Sequence, residues 1–274
     1  HNVLDFGMIA TIGNKMDVSE ADILEFMGED PNIRVVGMYM EDVTSGRRLV
    51  DVAGRVSTKK PIIALKTGRT EAGKKAVSSH TASMAGNDEI NSAAFRQSGI
   101  IRARDNEHLF SLMRAFSKQP LPKGPGVLVV TYTGSLGVAA TDMLYTRGLT
   151  LAELEPRLKE RLAPYLDDYL NVQNPVDCSF NMDATQVRQL ISIGVESPEV
   201  NAIIVIVQGE ILGSYVETLA SIDYRGKPVL CCVACKEFMM DHVVEMEQKG
   251  IPVYSTPEMA VDVLSDMYAH RRRQ

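Results

Sequence analysis

Pro61-Ile62-Ile63-Ala64-Leu65-Lys66-Thr67-Gly68-Arg69, followed at residues 78–86 by Ser78-Ser79-His80-Thr81-Ala82-Ser83-Met84-Ala85-Gly86, is the stretch on which the reading of this chain turns. The apolar run 62–65 has the length of a strand buried on both faces, which is how strands of a parallel sheet read. Residues 88–98 then read as a helix, with Ile90, Ala93, Ala94 and Gln97 at helical spacing, so the small residues between are expected to approach its N-terminus. One histidine thus stands among small residues beside a basic loop. An imidazole that attacks a phosphoryl group must be reached by a bulky anion, which favours small neighbours, free backbone N–H groups and a nearby helix start. Thr81, Ala82, Ser83, Ala85 and Gly86 fit that description. The alternative, which residue chemistry alone favours, is that His80 is a loop histidine with a capping role.

Outward from this stretch, apolar runs of strand length alternate with amphipathic stretches of helical length, the signature of an α/β fold. In the first half, strands are expected at 8–12, 35–40, 62–65 and 100–102, with helices at 19–27, 47–57, 88–98 and 107–116. Ser19 followed by Asp22 is a capping signal for the first of these helices. Residues 117–126, Ser117-Lys118-Gln119-Pro120-Leu121-Pro122-Lys123-Gly124-Pro125-Gly126, break every regular pattern and read as a linker. The alternation then restarts, with strands at 127–131, 203–207, 229–233 and 251–254 and helices at 138–147, 185–194, 239–249 and 257–270. The expectation is two flavodoxin-like three-layer domains with mainly parallel sheets: residues 1–118, a linker at 119–126, and residues 127–274.

The loop expected between the strand 127–131 and its helix, Tyr132-Thr133-Gly134-Ser135-Leu136-Gly137, lies where open parallel sheets bind anions. It is not a nucleophile elbow, because Gly134 and Ser135 are adjacent and no partner His and acid can be assigned. Nor is it a P-loop, because no Gly-Lys-Ser/Thr follows.

A length of 274 residues with 45% hydrophobic and 23% charged content is enough for two cores. The formal charge of −6, with no basic stripe, argues against nucleic-acid binding. Arg271-Arg272-Arg273 reads as a solvated tail. No apolar run approaches the roughly twenty residues that span a bilayer, and no targeting pattern opens the chain, so a cytoplasmic protein without membrane contact is expected. Cys231-Cys232-Val233-Ala234-Cys235 contains a C-x-x-C, but without a second ligand pair it reads as a buried, reduced strand and not as a metal site. Cys178 stands alone, and no disulfide framework is present.

Several separated motifs now form a set. Lys66 to Gly86, Ala94-Phe95-Arg96-Gln97, Gly99-Ile100-Ile101-Arg102, Ile12-Gly13-Asn14-Lys15, Glu41 after the strand 35–40, and Asn174-Pro175-Val176-Asp177 together resemble the NDP-forming acyl-CoA synthetases. These are the ADP-forming acetyl-CoA synthetases and their relatives in the succinyl-CoA synthetase superfamily. The resemblance covers nearly the whole chain. It implies two succinyl-CoA ligase-like domains, with His80 as the residue phosphorylated during turnover. It also implies that two helix N-termini face the phosphohistidine: Thr81, Ala82 and Ser83 at one, Gly134, Ser135 and Gly137 at the other. Glu41 is implied as the carboxylate that contacts the phosphohistidine, and on residue chemistry it is a strand-end acid able to fix an imidazole tautomer or a surface Glu beside Asp42. Asn14, Lys66 and Arg69 fall in the substrate or CoA vicinity, where the two basic residues either steer phosphate or form a solvated face. Lys15 reads as a solvated charge, and His108, His242 and His270 as surface or half-buried groups on helices. Two departures from the family pattern stand out: Ala82 where glycine is usual, and Thr133 to Gly137 where consecutive glycines around a proline are usual.

The activity implied is an acid–CoA ligase reaction that interconverts acyl-CoA, NDP and phosphate with acid, CoA and NTP through an acyl phosphate and phosphorylated His80. CoA, inorganic phosphate and ADP or ATP with Mg²⁺ are the implied substrates. The implied partners are an ATP-grasp domain or subunit and a CoA-binding domain, in a homo- or hetero-oligomer, with this chain as one part of the enzyme. The alternative expectation is a non-catalytic regulatory or assembly module, such as one fused to a protein acetyltransferase.

Overall fold

The computed structural model describes residues 4–13, 15–81, 86–166, 171–179, 183–234 and 236–274, with the backbone alone at 80, 81, 210, 236 and 237. The chain divides into two compact units, Leu4–Ser117 and Lys118–Arg272. Both are α/β and every strand pairing described is parallel.

In the N-terminal unit the order is α1 (Glu20–Glu29), β1 (Val36–Met40), α2 (Gly46–Ser57), β2 (Ile62–Lys66), α3 (Glu71–Thr81), α4 (Asp88–Ser98), β3 (Ile101–Arg102) and α5 (Asn106–Lys118). The three strands form one sheet in the order β1-β2-β3, with Met40 in register with Lys66 and Ala64 with Arg102. One face of the sheet, with Val36, Met40, Ile62 and Ala64, packs on Leu24 of α1, Leu49 and Val52 of α2, and Phe95 of α4. On the other face, a Cβ at Gly37 would collide with the thioether of Met113 on α5, so glycine lets that helix approach. Asp22 caps α1 as its spacing from Ser19 suggested: its carboxylate accepts from the Ser19 N–H at 2.8 Å and hydroxyl at 2.6 Å.

Two expectations fail in this unit. Residues 8–12 are not a strand; Ile9 is 73% exposed and no sheet partner buries the run. And the segment before residue 82 is not a loop leading to α4, because Glu71–Thr81 is helical and the backbone of His80 lies in its last turn. The periodicity argument misses α3 because only Val77 among its described side chains is buried, which leaves no apolar stripe. The signal that was present is a cap: the Thr70 hydroxyl accepts from the Gly73 N–H at 3.1 Å, with Glu71 in the first turn.

The C-terminal unit runs β4 (Gly126–Thr131), α6 (Gly134–Thr146), β5 (Thr150–Leu151), α7 (Pro156–Leu162), β6 (Val176–Asp177), α8 (Ala184–Gly194), β7 (Ala202–Gln208), α9 (Leu212–Ala220), β8 (Val229–Ala234), α10 (Met240–Gln248), β9 (Val253–Tyr254) and α11 (Pro257–Arg271). Its sheet has the order β5-β4-β7-β8-β9, with β6 also beside β4. Alternate residues point to opposite faces. Leu128, Val130, Val205, Cys231 and Val233 join the core beneath α8, α9 and α10, where the Tyr132 and Tyr215 rings meet edge to face at 5.4 Å. Helices α6 and α11 pack together on the other face, against β4, β8 and β9. Cys178, Cys231 and Cys232 are buried free thiols, and burial pushes the Cys231 thiol well above its ordinary value. Cys235 lies outside the described residues.

Helix α6 begins at Gly134, four residues before the expected start, so Gly134 to Gly137 form a first turn and not a loop. Helices α7 and α9 and the short strands β5 and β6 were not anticipated. His108 and His270 are 5% and 3% exposed, not surface groups, while the His242 side chain is 44% exposed. No helix among the described residues is long and apolar enough to cross a membrane.

Candidate functional site

Because β1, β2 and β3 are parallel, their carboxyl ends share one edge, where open α/β sheets place ligands. Three sequence candidates or their neighbours meet there: Glu41 follows β1, Lys66 ends β2, and Arg102 ends β3. Lys66 is only 1% exposed. Its ammonium donates to the backbone carbonyl of Glu41 at 2.6 Å and to that of Thr67 at 2.5 Å. It is therefore neither a solvated face nor a cation held out to an incoming anion. Burial pushes its pKa down, Asp88 and Asp42 oppose that, and Arg102 and Lys15 reinforce it.

The carbonyls on either side of Glu41 are also taken. The Met40 carbonyl accepts from the Thr67 N–H at 3.0 Å and its hydroxyl at 3.4 Å. The Asp42 carbonyl accepts from the Lys15 ammonium at 2.9 Å, and Lys15 also pairs with the Asp42 carboxylate at 2.6 Å and with Glu20 at 3.3 Å. Lys15, expected as a solvated charge, has an 11% exposed side chain and belongs to this arrangement. Asn14 lies outside the described residues.

Arg69 is half exposed and pairs with Asp88 at 3.8 Å. Asp88 opens α4 behind Asn87, whose side-chain oxygen accepts from the Glu89 N–H at 2.8 Å. Arg102 donates to the Asp88 carboxylate and to the Ser92 hydroxyl. Burial alone would raise the Asp88 pKa, but the Arg102 hydrogen bond and the charges of Arg102, Arg69 and Lys66 outweigh it and hold the carboxyl below its ordinary range. Arg102 and Asp88 were not singled out as site residues, although a strand-end arginine and a first-turn acid are both visible in the sequence. The side chains of His80 and Thr81, and all of Ala82 and Ser83, lie outside the described residues.

In the C-terminal unit the corresponding edge is the end of β4. Thr131 is fully buried, and its hydroxyl accepts from the Thr133 N–H at 3.1 Å and donates to the Thr133 carbonyl at 2.9 Å, which sets the turn into α6. Thr133 is the extended residue before the helix and its side chain makes no capping bond. Gly134 and Ser135 are exposed, and as the first two helical residues their N–H groups point out of the helix end without intrahelical acceptors. Gly137 is buried, where a Cβ would stand 3.0 Å from the Thr131 methyl and 3.4 Å from Pro175. Asp177 comes to the same end of the helix: its Oδ2 would be 3.0 Å from a Cβ on Gly134, and its Oδ1 accepts from the Ser179 N–H at 3.1 Å. Gly134, Ser135 and Gly137 are thus on one helical turn, whereas Glu41, Lys66 and Arg69 belong to the other unit. Among the described residues no group of three or more His, Cys, Asp or Glu is arranged to hold a metal ion.

Comparison with known proteins gives two matching family models: a succinyl-CoA ligase like flavodoxin domain over residues 1–116 and a ligase-CoA domain over residues 127–273. The chain is 36% identical over 287 aligned positions to acetate–CoA ligase [ADP-forming] II of Archaeoglobus fulgidus, covering 100% of this chain and 42% of the relative. It is 38% identical over 268 positions to the alpha subunit of acetate–CoA ligase [ADP-forming] I of Pyrococcus furiosus, covering 95% and 57%. A solved structure, Ca. Korarchaeum cryptofilum dinucleotide forming acetyl-coenzyme A synthetase 1 in complex with phosphate and ADP, superposes with a TM-score of 0.86 at 31% identity, covering 96% of this chain and 59% of the other. The chain spans about half the length of the curated relatives it matches.

Proposed function

The chain belongs to the NDP-forming acyl-CoA synthetases of the succinyl-CoA synthetase superfamily, and on that premise we propose that it carries the phosphoryl-relay part of an acid–CoA ligase. The observation that carries this reading is the start of α6: an uncapped, exposed helix N-terminus at the carboxyl end of a central parallel strand, with the N–H groups of Gly134 and Ser135 unclaimed by the helix. Such an end is built to hold an anion.

In the proposed sequence, inorganic phosphate attacks the thioester carbonyl of an acyl-CoA, and the C–S bond breaks to give an acyl phosphate and CoA. An imidazole nitrogen of His80 then attacks the phosphorus, the P–O bond to the acyl group breaks, and the acid leaves as its carboxylate. The phosphohistidine finally transfers its phosphoryl group to ADP. Each transfer needs positioning and charge neutralisation more than covalent assistance from the protein. Gly134, Ser135 and Gly137, together with Thr81, Ala82 and Ser83, are the groups we assign to the phosphoryl oxygens. Glu41 is assigned to the imidazole, where a carboxylate fixes the tautomer and stabilises developing positive charge. Asn14 and Arg69 are assigned to the substrate vicinity.

On this reading residues 1–118 form the phosphohistidine-bearing domain, 119–126 the linker and 127–274 the second domain. CoA and the Mg²⁺ nucleotide are held mainly by a CoA-binding domain and an ATP-grasp domain or subunit. The relatives' greater length and the alpha-subunit designation of one of them support such partners. The buried free thiols are in keeping with a cytoplasmic protein. The test is steady-state formation of acyl-CoA from acid, CoA and ATP by this chain together with its CoA-binding domain and an ATP-grasp partner. Turnover that requires both the partner and His80 is the expected result, and turnover by the His80→Ala variant would refute the assignment.

A further inference from the structure

We propose that Lys66, with Lys15 and Thr67, is a positioning residue for the reaction, a buried strut that fixes the turn bearing Glu41. The inference rests on the role just assigned to Glu41 and goes beyond it, by naming what holds that carboxylate in place. Three successive carbonyls are claimed by three different residues: Met40 by Thr67, Glu41 by Lys66 and Asp42 by Lys15. The donors come from separate places in the chain, Lys66 lying 25 positions and Lys15 27 positions from their acceptors. The Thr67 N–H bond to Met40 is the last rung of the β1–β2 ladder, and beyond it, where the strand has ended, the Glu41 and Asp42 carbonyls are clamped by the ammonium groups of Lys66 and Lys15.

The choice of lysine is itself informative. At 1% exposure the ammonium has lost its water and donates to two neutral carbonyls, with no carboxylate among its described hydrogen-bond partners. A methionine would fill the same volume without that desolvation cost, so stability alone does not call for a charge here. An ammonium does what a methionine cannot: it draws the carbonyl after β1 and the carbonyl after β2 to one point. Lys66 also ends the strand whose following loop leads through Thr67 and Arg69 into α3, the helix that contains His80. One side chain thus anchors both segments that carry the proposed reacting pair.

A cation that steers phosphate, a purely structural lysine and a residue acting through Glu41 make different predictions in a double-mutant cycle. The experiment measures the rate of His80 phosphorylation by ATP and Mg²⁺ in the complex with the ATP-grasp partner, for wild type, Lys66→Met, Glu41→Gln and the double variant, with unfolding midpoints recorded for each. If Lys66 acts through Glu41, Lys66→Met lowers the maximal rate by on the order of 10²-fold, the cost of a misplacement near 1 Å. It leaves the phosphate KM of the overall reaction unchanged and produces no further loss in the Glu41→Gln background. Should Lys66→Met fail to fold, Lys15→Met loosens the same turn from its other side and is expected to show the same non-additivity. Multiplicative losses in the double variant, a raised phosphate KM, or a wild-type rate in folded Lys66→Met would each overturn the inference. Label that persists in His80→Ala would instead refute the relay on which it rests.

Discussion

The side-chain amide of Asn174 takes the place of a strand residue beside Val129: its oxygen accepts the Val129 N–H at 3.0 Å. Its nitrogen donates to the carbonyls of Val127 at 2.7 Å and Ala152 at 3.0 Å. Strand β4 pairs with β5 at Gly126 and Val127 and with β6 at Val130 and Thr131, so one amide fills the gap between two short neighbours on the same edge. The same segment then delivers Pro175 against Gly137 and Asp177 to the start of α6. The motif Asn174-Pro175-Val176-Asp177 therefore shapes the candidate phosphate end of the second unit from behind.

Replacing Asn174 by Ala strips the buried Val129 N–H of its acceptor and is expected to cost about 2–3 kcal/mol. For a unit of this size the midpoint of thermal unfolding falls by roughly 5–10 °C. Asn174→Asp is expected to be at least as damaging, because a carboxylate has no donor for the Val127 and Ala152 carbonyls. Calorimetry of the two variants checks the order; an Asp variant as stable as wild type would contradict it.

Gly126 offers a second test of close approach. Its carbonyl accepts from the Asn201 N–H at 2.7 Å, and a Cβ at Gly126 would collide with the Glu199 carbonyl, a backbone atom that cannot rotate away. Gly126→Ala is expected to destabilise the C-terminal unit by roughly 1–3 kcal/mol, read as a lower denaturant midpoint with an unchanged slope. By contrast Gly226, with φ of +71° and open space around it, is constrained by its backbone conformation alone.

Acid sensitivity of the N-terminal unit follows from Asp88. Its carboxyl is held below its ordinary value of 3.8, so the folded state binds the proton less tightly than the unfolded chain does. The stabilisation is fully present above that ordinary value and is lost as pH falls through the folded value. Asp88→Asn is therefore expected to lower the unfolding midpoint at neutral pH, with the deficit shrinking in strong acid. A deficit independent of pH would show that the Arg102 and Arg69 pairs do not stabilise the ionised carboxylate.

How much of this was legible in the sequence depends on the range of the interactions. Strands β2, β4, β7 and β8 were readable because two-sided burial leaves unbroken apolar runs, and β1 because its run is apolar even though Tyr39 is exposed, whereas residues 8–12 carry such a run and remain unpaired. Strands β5 and β6 are two residues each and exist through β4 and Asn174, which no local pattern encodes. Helix α3 hides its period because it buries so little; α9 carries Leu212, Tyr215, Val216 and Leu219 at helical spacing, a signal that the expected elements did not include. At the site, Glu41 could be placed at a strand end from pattern alone. The burial of Lys66 and Lys15 could not, because their acceptors lie 25 and 27 residues away in the chain.

The most direct test of the relay is to incubate the chain and its ATP-grasp partner with ATP carrying a labelled γ-phosphate and Mg²⁺, and to locate the label. The account predicts an acid-labile, alkali-stable phosphoryl group on His80 that is absent from His80→Ala and discharged by ADP. Label elsewhere on the chain, or none while the partner is bound and active, would contradict it.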